Sequence, residues 1–238
     1  MKKMVEKIKR QIPNAITGMN LFAGSISIVY AFDNQLEMAF YLILLAAVFD
    51  FFDGFVARLL NVQSVFGKEL DSLADVVSFG LAPAVIMFQF FQSNMYVFGW
   101  ESYSFLPYIS FIIPVFSAFR LAKFNLDTRQ SESFLGLPTP ANALFMGSYV
   151  FLPNFFNMAH HPLTLTILII TMSFLLISEL PMFSLKIKSL KIKGNAARYF
   201  IISFVIGMIF FVNHLWLGAI AISMYILLNG LLLLKKRT

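Results

Sequence analysis

Long apolar runs separated by short polar stretches dominate the pattern along this chain. A helix that crosses the hydrocarbon core of a bilayer needs about 20 mostly apolar residues. Runs of this kind predict eight membrane-spanning helices, at about 13–32, 36–60, 68–92, 103–125, 139–154, 162–182, 196–213 and 215–234. The fifth is short, and a tight turn around Asn213 and His214 separates the last two. The pattern therefore predicts an all-α, polytopic membrane helix bundle.

The composition agrees with this fold class, since 59% of the 238 residues are hydrophobic and only 13% are charged. Soluble domains carry about 25% charged residues. We expect the 29 Phe and 12 Met to serve as core and lipid contacts. The absence of Cys excludes disulfides, thiolate metal sites and cysteine nucleophiles. No long polar stretch indicates an attached soluble domain, so residues 1–238 are predicted to form a single membrane domain.

The basic lead-in, residues 1–11, is mildly amphipathic and is predicted to lie along the membrane interface. It is not followed by a short apolar core with a small-residue cleavage site, so we do not expect a cleaved signal peptide.

The positions of the basic residues test the predicted topology. Cytoplasmic loops collect Lys and Arg, and an even number of spans places both termini on one side. With eight spans, all 18 basic residues fall on that side, and the opposite side holds only Asp33, Glu37 and Glu101. We therefore predict a multi-pass protein of the cytoplasmic membrane with both termini in the cytoplasm. The net charge of +6 is then a topology signal and an attraction to anionic membrane lipid, and no nucleic-acid partner is expected.

One segment concentrates acidic residues at the cytoplasmic ends of the second and third spans. It reads DFFDGFVARLLNVQSVFGKELDSLAD and contains Asp50, Asp53, Asp71 and Asp75. At 100° per residue, the first two aspartates share one helix face with Gly54 and Ala57. The last two are an i, i+4 pair, and the short connection that includes Lys68 favours antiparallel neighbours. The spacing therefore predicts that the four carboxylates face each other across a helix pair.

Four carboxylates so close together would repel one another unless a cation held them. Hard cations such as Mg²⁺ or Mn²⁺ prefer oxygen ligands. A zinc site is not expected, because Cys is absent and no His falls on the cytoplasmic side. Gly54 and Ala57 leave room for a bulky ligand, and Gly67 either does the same or simply makes the turn. Arg58 adds a permanent cation suited to phosphate.

Two other interpretations of the acidic residues remain open at this point. Structural aspartates could pair with Arg58, Lys68 and Arg120, or the acids could line a proton or cation pathway. A pathway predicts acids distributed through the membrane depth. Here they cluster near one surface, which favours a metal site.

The acidic segment resembles the signature of the CDP-alcohol phosphotransferase family, D-x2-D-G-x2-A-R-x8-G-x3-D-x3-D. Every fixed position and every gap matches, through Asp50, Asp53, Gly54, Ala57, Arg58, Gly67, Asp71 and Asp75. The resemblance implies a catalytic six-helix core at residues 12–182, with residues 183–238 forming two additional C-terminal membrane helices. It also implies a homodimer, although no interface is evident in the sequence.

The resemblance further implies a mechanism. Two divalent ions, Mg²⁺ or Mn²⁺, would lie near the diphosphate of a CDP-linked lipid. Asp50, Asp53 and Asp71 would be the principal ligands, and Asp75 would bind metal and act as general base on the acceptor hydroxyl. CMP would leave. Gly54, Ala57, Arg58 and Gly67 would contact the CDP-lipid.

The opening of the first span also resembles this family. It reads Ile12-Pro-Asn-Ala-Ile-Thr-Gly-Met-Asn20, and Asn14 and Thr17 would help to hold the nucleotide. The alternative is an ordinary helix start with Pro13 in its first turn.

Three further stretches bear on the acceptor alcohol: DSLADVVSFGLAP at 71–83, FRLAKFN at 119–125 and GLPTP at 136–140. They resemble the integral-membrane phosphatidylserine synthases of this family, which implies CDP-diacylglycerol as donor and L-serine as acceptor. Arg120, Lys123 and Ser78 are the predicted acceptor-binding residues. Lys123 stands where Arg is common in such stretches. Arg120 could instead be an unliganded positive-inside residue, and Ser78 could bond the helix backbone.

Another acceptor, such as glycerol 3-phosphate or inositol phosphate, remains an alternative. A cation or proton transporter is a more distant alternative.

His160 and His161 fall on the outer side and are interpreted as structural. Pro83 is predicted to kink the third span.

Overall fold

The structure is a computed structural model, and it describes residues 2–62, 64–127, 134–153, 156–182 and 215–237. Its α-helices are α1 Lys2–Phe32, α2 Leu36–Leu59, α3 Val65–Asp75, α4 Ala82–Val97, α5 Ile112–Leu126, α6 Thr139–Tyr149, α7 Asn157–His160, α8 Pro162–Ile177 and α9 Leu217–Arg237. A π-helical segment, Val76–Leu81, joins α3 to α4, and two 3₁₀ segments, Glu101–Tyr103 and Leu106–Phe111, precede α5. The strands β1 Phe134–Leu135 and β2 Pro181–Met182 form a two-residue antiparallel pair. The predicted all-helical class is confirmed.

Four helical segments are long and apolar enough to cross a membrane: Gln11–Phe32, Leu36–Leu59, Val65–Val97 and Glu101–Leu126. They match the first four predicted spans. The fifth and sixth predictions correspond to the shorter α6 and α8, and the eighth corresponds to α9. The seventh, at 196–213, lies outside the described residues, as do Asn213 and His214. The count of eight spans therefore stays a prediction.

The predicted interfacial segment is continuous with the first span, because α1 runs from Lys2 to Phe32 with Pro13 inside it. The part long and apolar enough to span begins at Gln11. The placement of residues 1–11 along the interface stays a prediction.

Helices α1 and α2 form an antiparallel pair joined by a three-residue connection, in which Asn34 adopts a positive φ of 58°. Small buried side chains, Ala31 on α1 and Ala39 on α2, allow the two backbones to approach closely. The hydroxyl of Ser27 donates a 2.7 Å hydrogen bond to the carbonyl of Ala39. This packing brings the first turns of the α1 span beside the acidic end of α2.

The third span is interrupted by its π-helical segment, where the N–H of Ala82 bonds the carbonyl of Val77 five residues earlier. Pro83 follows directly. Proline has no N–H, and in a regular helix its ring clashes with the carbonyl four residues before it. The extra residue of the π turn accommodates this clash. The predicted kink at Pro83 stays a prediction, and the structure shows a π-helical segment just before it.

The GLPTP stretch forms the turn that starts α6. Gly136 has a positive φ of 75°, and a Cβ there would lie 2.4 Å from the carbonyl oxygen of Leu176. The N–H of Gly136 donates to the carbonyl of Leu180, and that of Leu137 donates to the carbonyl of Leu175, each at 2.9 Å. These bonds satisfy carbonyls at and beyond the C-terminal end of α8, which have no helical partner. The turn is thereby held against α8.

Candidate active site

The carboxylates of the signature segment converge between α2 and α3. One oxygen each from Asp50, Asp53 and Asp71 can be chosen so that all three lie within 4.8 Å of one another. The first two side chains are one turn apart on α2, and the third comes from the facing helix. The predicted convergence of acidic side chains across a helix pair is thus confirmed for these three.

Asp75 is also buried, with 7% of its surface exposed. Asp50 lies within hydrogen-bonding reach of both Asp71 and Asp75, so the fourth carboxyl adjoins the cluster through Asp50. Nδ2 of Asn20, on α1, lies 3.3 Å from Oδ1 of Asp75. Asp75 therefore joins the cluster where α1 meets α3.

The donor set fits a hard divalent cation. All its ligand atoms are carboxylate oxygens, which Mg²⁺ and Mn²⁺ prefer. Oδ1 of Asp71 is buried and has no hydrogen-bond partner among the described residues. A buried charged oxygen without a partner is costly. Coordination to a cation would satisfy it.

Pairing with basic side chains does not account for the cluster. Within the described ranges, the salt bridge found joins Lys123 to Glu179, and none joins the four aspartates to Lys or Arg. Lys68 instead donates a 3.0 Å hydrogen bond to the carbonyl of Asn125. Arg120 donates to Thr139. The interpretation of the acids as ion-paired structural residues therefore finds no support here.

Helix α1 contributes the two polar residues predicted for it. The hydroxyl of Thr17 lies 2.6 Å from Oδ2 of Asp53 and 3.1 Å from the carbonyl of Pro13. The side-chain oxygen of Asn14 lies 3.2 Å from the point that a Cβ on Gly67 would occupy. Both residues reach the acidic end of the bundle because α1 packs antiparallel to α2.

A pocket of about 600 Å³ opens beside the aspartates. It is lined by Pro13, Asn14, Thr17, Asp53, Gly54, Ala57, Arg58, Val62, Ser64, Val65, Gly67, Lys68, Asp71 and Phe124. All six residues predicted to contact the CDP-lipid are among them. Its volume lies within the usual range of ligand sites, about 300–1,000 Å³, and Arg58 and Lys68 make one side of it basic.

Of the two signature glycines, Gly67 lies in the tighter local geometry. Ser64 caps α3 by accepting a 3.0 Å hydrogen bond from the N–H of Gly67. A Cβ on Gly67 would lie 3.1 Å from that Ser64 oxygen, closer than ordinary van der Waals contact. A Cβ on Gly54 would lie 3.4 Å from a guanidinium nitrogen of Arg58. The absence of a side chain at Gly67 thus allows α3 to start close to α1, whereas a Cβ on Gly54 would make an ordinary van der Waals contact with Arg58.

The predicted acceptor residues are found in different environments. Arg120 is buried, with 7% exposure, and its Nη1 donates a 2.9 Å hydrogen bond to Oγ1 of Thr139. Its guanidinium carbon lies 5.6 Å from the centre of the Phe124 ring, and its charge acts on Asp75. A cation held this deeply is not simply a solvated positive-inside residue, because burying a charge is costly without partners.

Ser78 and Lys123 contact other protein groups and are not among the residues that line the pocket beside the aspartates. The hydroxyl of Ser78 donates a 3.0 Å hydrogen bond to the main-chain carbonyl of Asn20. The bond is therefore to a helix backbone, but to that of α1 and not to that of its own helix. The ammonium of Lys123 lies 3.2 Å from Glu179 at an exposed position. Their roles in acceptor binding stay predictions.

Two residues of this region were missed by the sequence reasoning. Asn20 lies on the α1 face that also carries Thr17, three residues away, and this spacing could have indicated it. Thr139, inside GLPTP, holds Arg120. No pattern in the sequence signals that contact, because it joins α5 to α6.

The sequence model of the CDP-alcohol phosphatidyltransferase family matches residues 10–231. The chain belongs to this family. The match covers all described site residues and agrees with the signature that carried the resemblance.

Individual relatives carry related names. A CDP-diacylglycerol–serine O-phosphatidyltransferase of Helicobacter pylori is 41% identical over 144 residues, 60% of this chain and 58% of the relative. A protein of the same name from Methanocaldococcus jannaschii is 35% identical over 71% of this chain and 72% of its own. An archaetidylserine synthase of Methanothermobacter thermautotrophicus is 33% identical over 71% and 68%. The chain thus matches somewhat more than half the length of the Helicobacter protein.

Proposed function

We propose that this family member transfers the phosphatidyl group of CDP-diacylglycerol to L-serine, giving phosphatidylserine and CMP. The observation that carries the proposal is the cluster of Asp50, Asp53 and Asp71, whose oxygens come within 4.8 Å of one another at the edge of a pocket. A diphosphate bound there needs cations, and the pocket has room for a nucleotide head.

The donor would lie in the pocket lined by the family signature. Arg58 and Lys68 supply positive charge for phosphate oxygens. Asn14 and Thr17 offer hydrogen bonds near the nucleotide, and the small Gly54 and Ala57 leave its path open. Diacyl chains could extend into the surrounding lipid, because the helices are membrane-embedded.

Asp50, Asp53, Asp71 and Asp75 would hold the two divalent ions, Mg²⁺ or Mn²⁺, that the family implies. When bound, such ions stabilise negative charge on attacking and leaving oxygens. Two hydrogen-bonding residues of the chain hold the metal-binding carboxylates in position. Thr17 orients Asp53, and Asn20 orients Asp75. Fixed donors of this kind cost no reorganisation during the reaction.

Asp75 is the proposed general base. It is buried, with 7% of its surface exposed, and the charge of Arg120 acts on it. The serine hydroxyl would give its proton to Asp75, its oxygen would bond the lipid-side phosphorus, and the bond from that phosphorus to CMP would break. General base catalysis of this type typically contributes about 10²–10⁴-fold.

Serine as the acceptor is supported by the names of the relatives. They share serine, whereas their lipids differ between diacylglycerol and archaetidyl groups. A buried arginine also suits a carboxylate-bearing acceptor. The proposal places the site on the cytoplasmic side, in agreement with the positive-inside count, and retains the homodimer as an expectation of the family.

The test is CMP release by the purified chain in detergent with CDP-diacylglycerol and Mn²⁺ or Mg²⁺. L-Serine, glycerol 3-phosphate, inositol and inositol phosphate are supplied in parallel. We expect CMP to be released with serine but with none of the other three acceptors, and we expect EDTA to abolish this release. Mass spectrometry of the lipid product provides the second readout.

Release with a different alcohol would keep the transfer chemistry and reject serine as acceptor. No release with any acceptor, combined with cation flux in liposomes, would reject the enzyme and support the transporter. Asp71→Asn is the matched control, since it preserves side-chain size but removes a charged ligand.

A further inference from the structure

The side-chain amide of Asn20 has a hydrogen-bonded nitrogen and, among the described residues, an oxygen without a partner. It is completely buried, and its Nδ2 donates to Oδ1 of Asp75 at 3.3 Å. A carboxylate only accepts hydrogen bonds, so the amide NH₂ must face Asp75. The amide oxygen Oδ1 then points elsewhere, and among the residues that the structure describes it has no partner.

A buried carbonyl oxygen without a donor is unusual in a folded protein, since most buried polar atoms are paired. Leaving it unpaired costs free energy. The main chain at Asn20 is also held in place, because its carbonyl accepts a bond from Ser78. The free oxygen is therefore a positioned acceptor beside the proposed base.

A second buried group without a partner among the described residues belongs to Arg120, whose charge acts on Asp75. Nε of Arg120 is buried and lacks a partner within the described part of the chain, while Nη1 is held by Thr139. Asp75 thus has a free acceptor on one neighbour and a free cationic donor on the other. An α-amino acid with a hydroxyl presents the matching set: an ammonium, a carboxylate and a proton for the base.

We infer that Asn20 is a specificity-determining residue that recognises the ammonium group of the acceptor. Its Oδ1 accepts a hydrogen bond from the ammonium while its Nδ2 holds Asp75 against the acceptor hydroxyl. This inference rests on the proposed function and adds a residue and a role to it. The role proposed for Oδ1 concerns the acceptor, whereas the bond from Nδ2 to Asp75 serves the transfer chemistry itself.

The experiment compares L-serine with 3-hydroxypropionate, which has the same hydroxyl and carboxylate but no ammonium. Wild-type, Asn20→Leu and Asn20→Asp proteins are assayed for CMP release with each acceptor. If 3-hydroxypropionate is not turned over, it is tested as a competitive inhibitor of serine. Its inhibition constant in each variant is then compared in place of its KM. Ser25→Ala is the matched control on the same helix, because Ser25 is exposed and its hydroxyl donates to the carbonyl of Leu21 in its own helix.

For Asn20→Leu, which keeps the approximate volume, we expect kcat/KM for serine to fall about 10- to 100-fold more than that for 3-hydroxypropionate. Asn20→Asp retains an oxygen for the ammonium but loses the donor to Asp75. Its kcat should fall while its preference for serine stays within about threefold of wild type. The KM for CDP-diacylglycerol should change little in both variants.

Equal losses with both acceptors in Asn20→Leu would overturn the inference, because they would show that Asn20 acts only through Asp75. If that variant fails to fold, the Asn20→Asp protein carries the test: a preference for serine reduced more than tenfold would overturn it. A wild-type protein inactive with serine would instead reject the proposed function itself, so the two failures are distinguishable.

Discussion

The hydroxyl of Thr17 lies 2.6 Å from Oδ2 of Asp53, and this contact joins α1 to α2 at the acidic cluster. Hydrogen bonds to an ionised carboxylate are shorter and stronger than those between neutral groups. The short distance indicates that Thr17 sets the direction of the Asp53 side chain, which is a proposed metal ligand.

Replacing Thr17 by Val keeps the branched shape and removes the hydroxyl. We expect the concentration of Mn²⁺ needed for half-maximal activity to rise about 10-fold, because one charge-assisted hydrogen bond is lost. Titration of CMP release with Mn²⁺ measures this. Ser25→Ala, which removes a hydroxyl elsewhere on α1, should leave the titration unchanged. An unchanged titration in Thr17→Val would show that Asp53 is held by other contacts.

Asp71→Asn and Asp75→Asn should each abolish turnover in a chain that still folds. The first loses a charged ligand, and the second loses both a ligand and the base, which alone accounts for about 10²–10⁴-fold. CMP release measures activity, and thermal unfolding in detergent checks the fold. Substantial activity in either protein would reject the corresponding role.

Arg120→Ala should raise the KM for serine more than the KM for CDP-diacylglycerol. The guanidinium is buried beside Asp75 and has one free nitrogen among the described residues, which suits a carboxylate. Thr139→Val should show a weaker effect in the same direction, because it frees Nη1 from its present partner. Equal changes in both KM values would argue against a carboxylate clamp.

Lys123→Ala tests a residue whose predicted role the structure leaves open. Its ammonium lies 3.2 Å from Glu179 in an exposed pair, with 41% and 70% of the side chains accessible. Exposed pairs contribute about 0–1 kcal/mol. We therefore expect Lys123→Ala and the matched Glu179→Gln to change the KM for serine by less than about twofold. A large increase in Lys123→Ala alone would restore its acceptor-binding role.

Gly24→Ala should destabilise the bundle where α1 meets the π-helical segment. An added Cβ would lie 2.2 Å from Oγ and 2.6 Å from Cα of Ser78, so the backbones must separate. Overpacking of this kind costs about 1–3 kcal/mol. Gly18→Ala is the matched control on the same helix, because nothing lies within 4 Å of its added Cβ. Thermal unfolding should distinguish them; equal stabilities would contradict the close packing.

Much of the site could be predicted because its residues lie close together in sequence. Asp50 and Asp53 share a face of α2 by helical periodicity, and Asp71 and Asp75 share a face of α3. Because the connection between α2 and α3 is short, the sequence also predicted that these two helices would face each other. Gly54, Ala57, Arg58 and Gly67 line one pocket for the same reason, whereas Asn14 and Thr17 reach it because α1 packs antiparallel to α2.

The acceptor side was less predictable because its contacts join distant segments. Arg120 was expected as a ligand, but its burial and its bond to Thr139 depend on how α5 packs on α6. Lys123, only three residues along the same helix, instead reaches Glu179 beyond α8. Helical periodicity alone could not indicate which neighbour each side chain would meet.

The sequence by itself determined the membrane class, the first four spans, the family and the acidic cluster, because hydrophobic length and helical periodicity are local properties. Only the tertiary structure decided that Thr17 holds Asp53, that Asn20 holds Asp75, and that Arg120 lies buried. Those contacts depend on which faces of different helices meet. That choice is made by the summed packing of small residues such as Gly24 and Ala39, and no single segment encodes it.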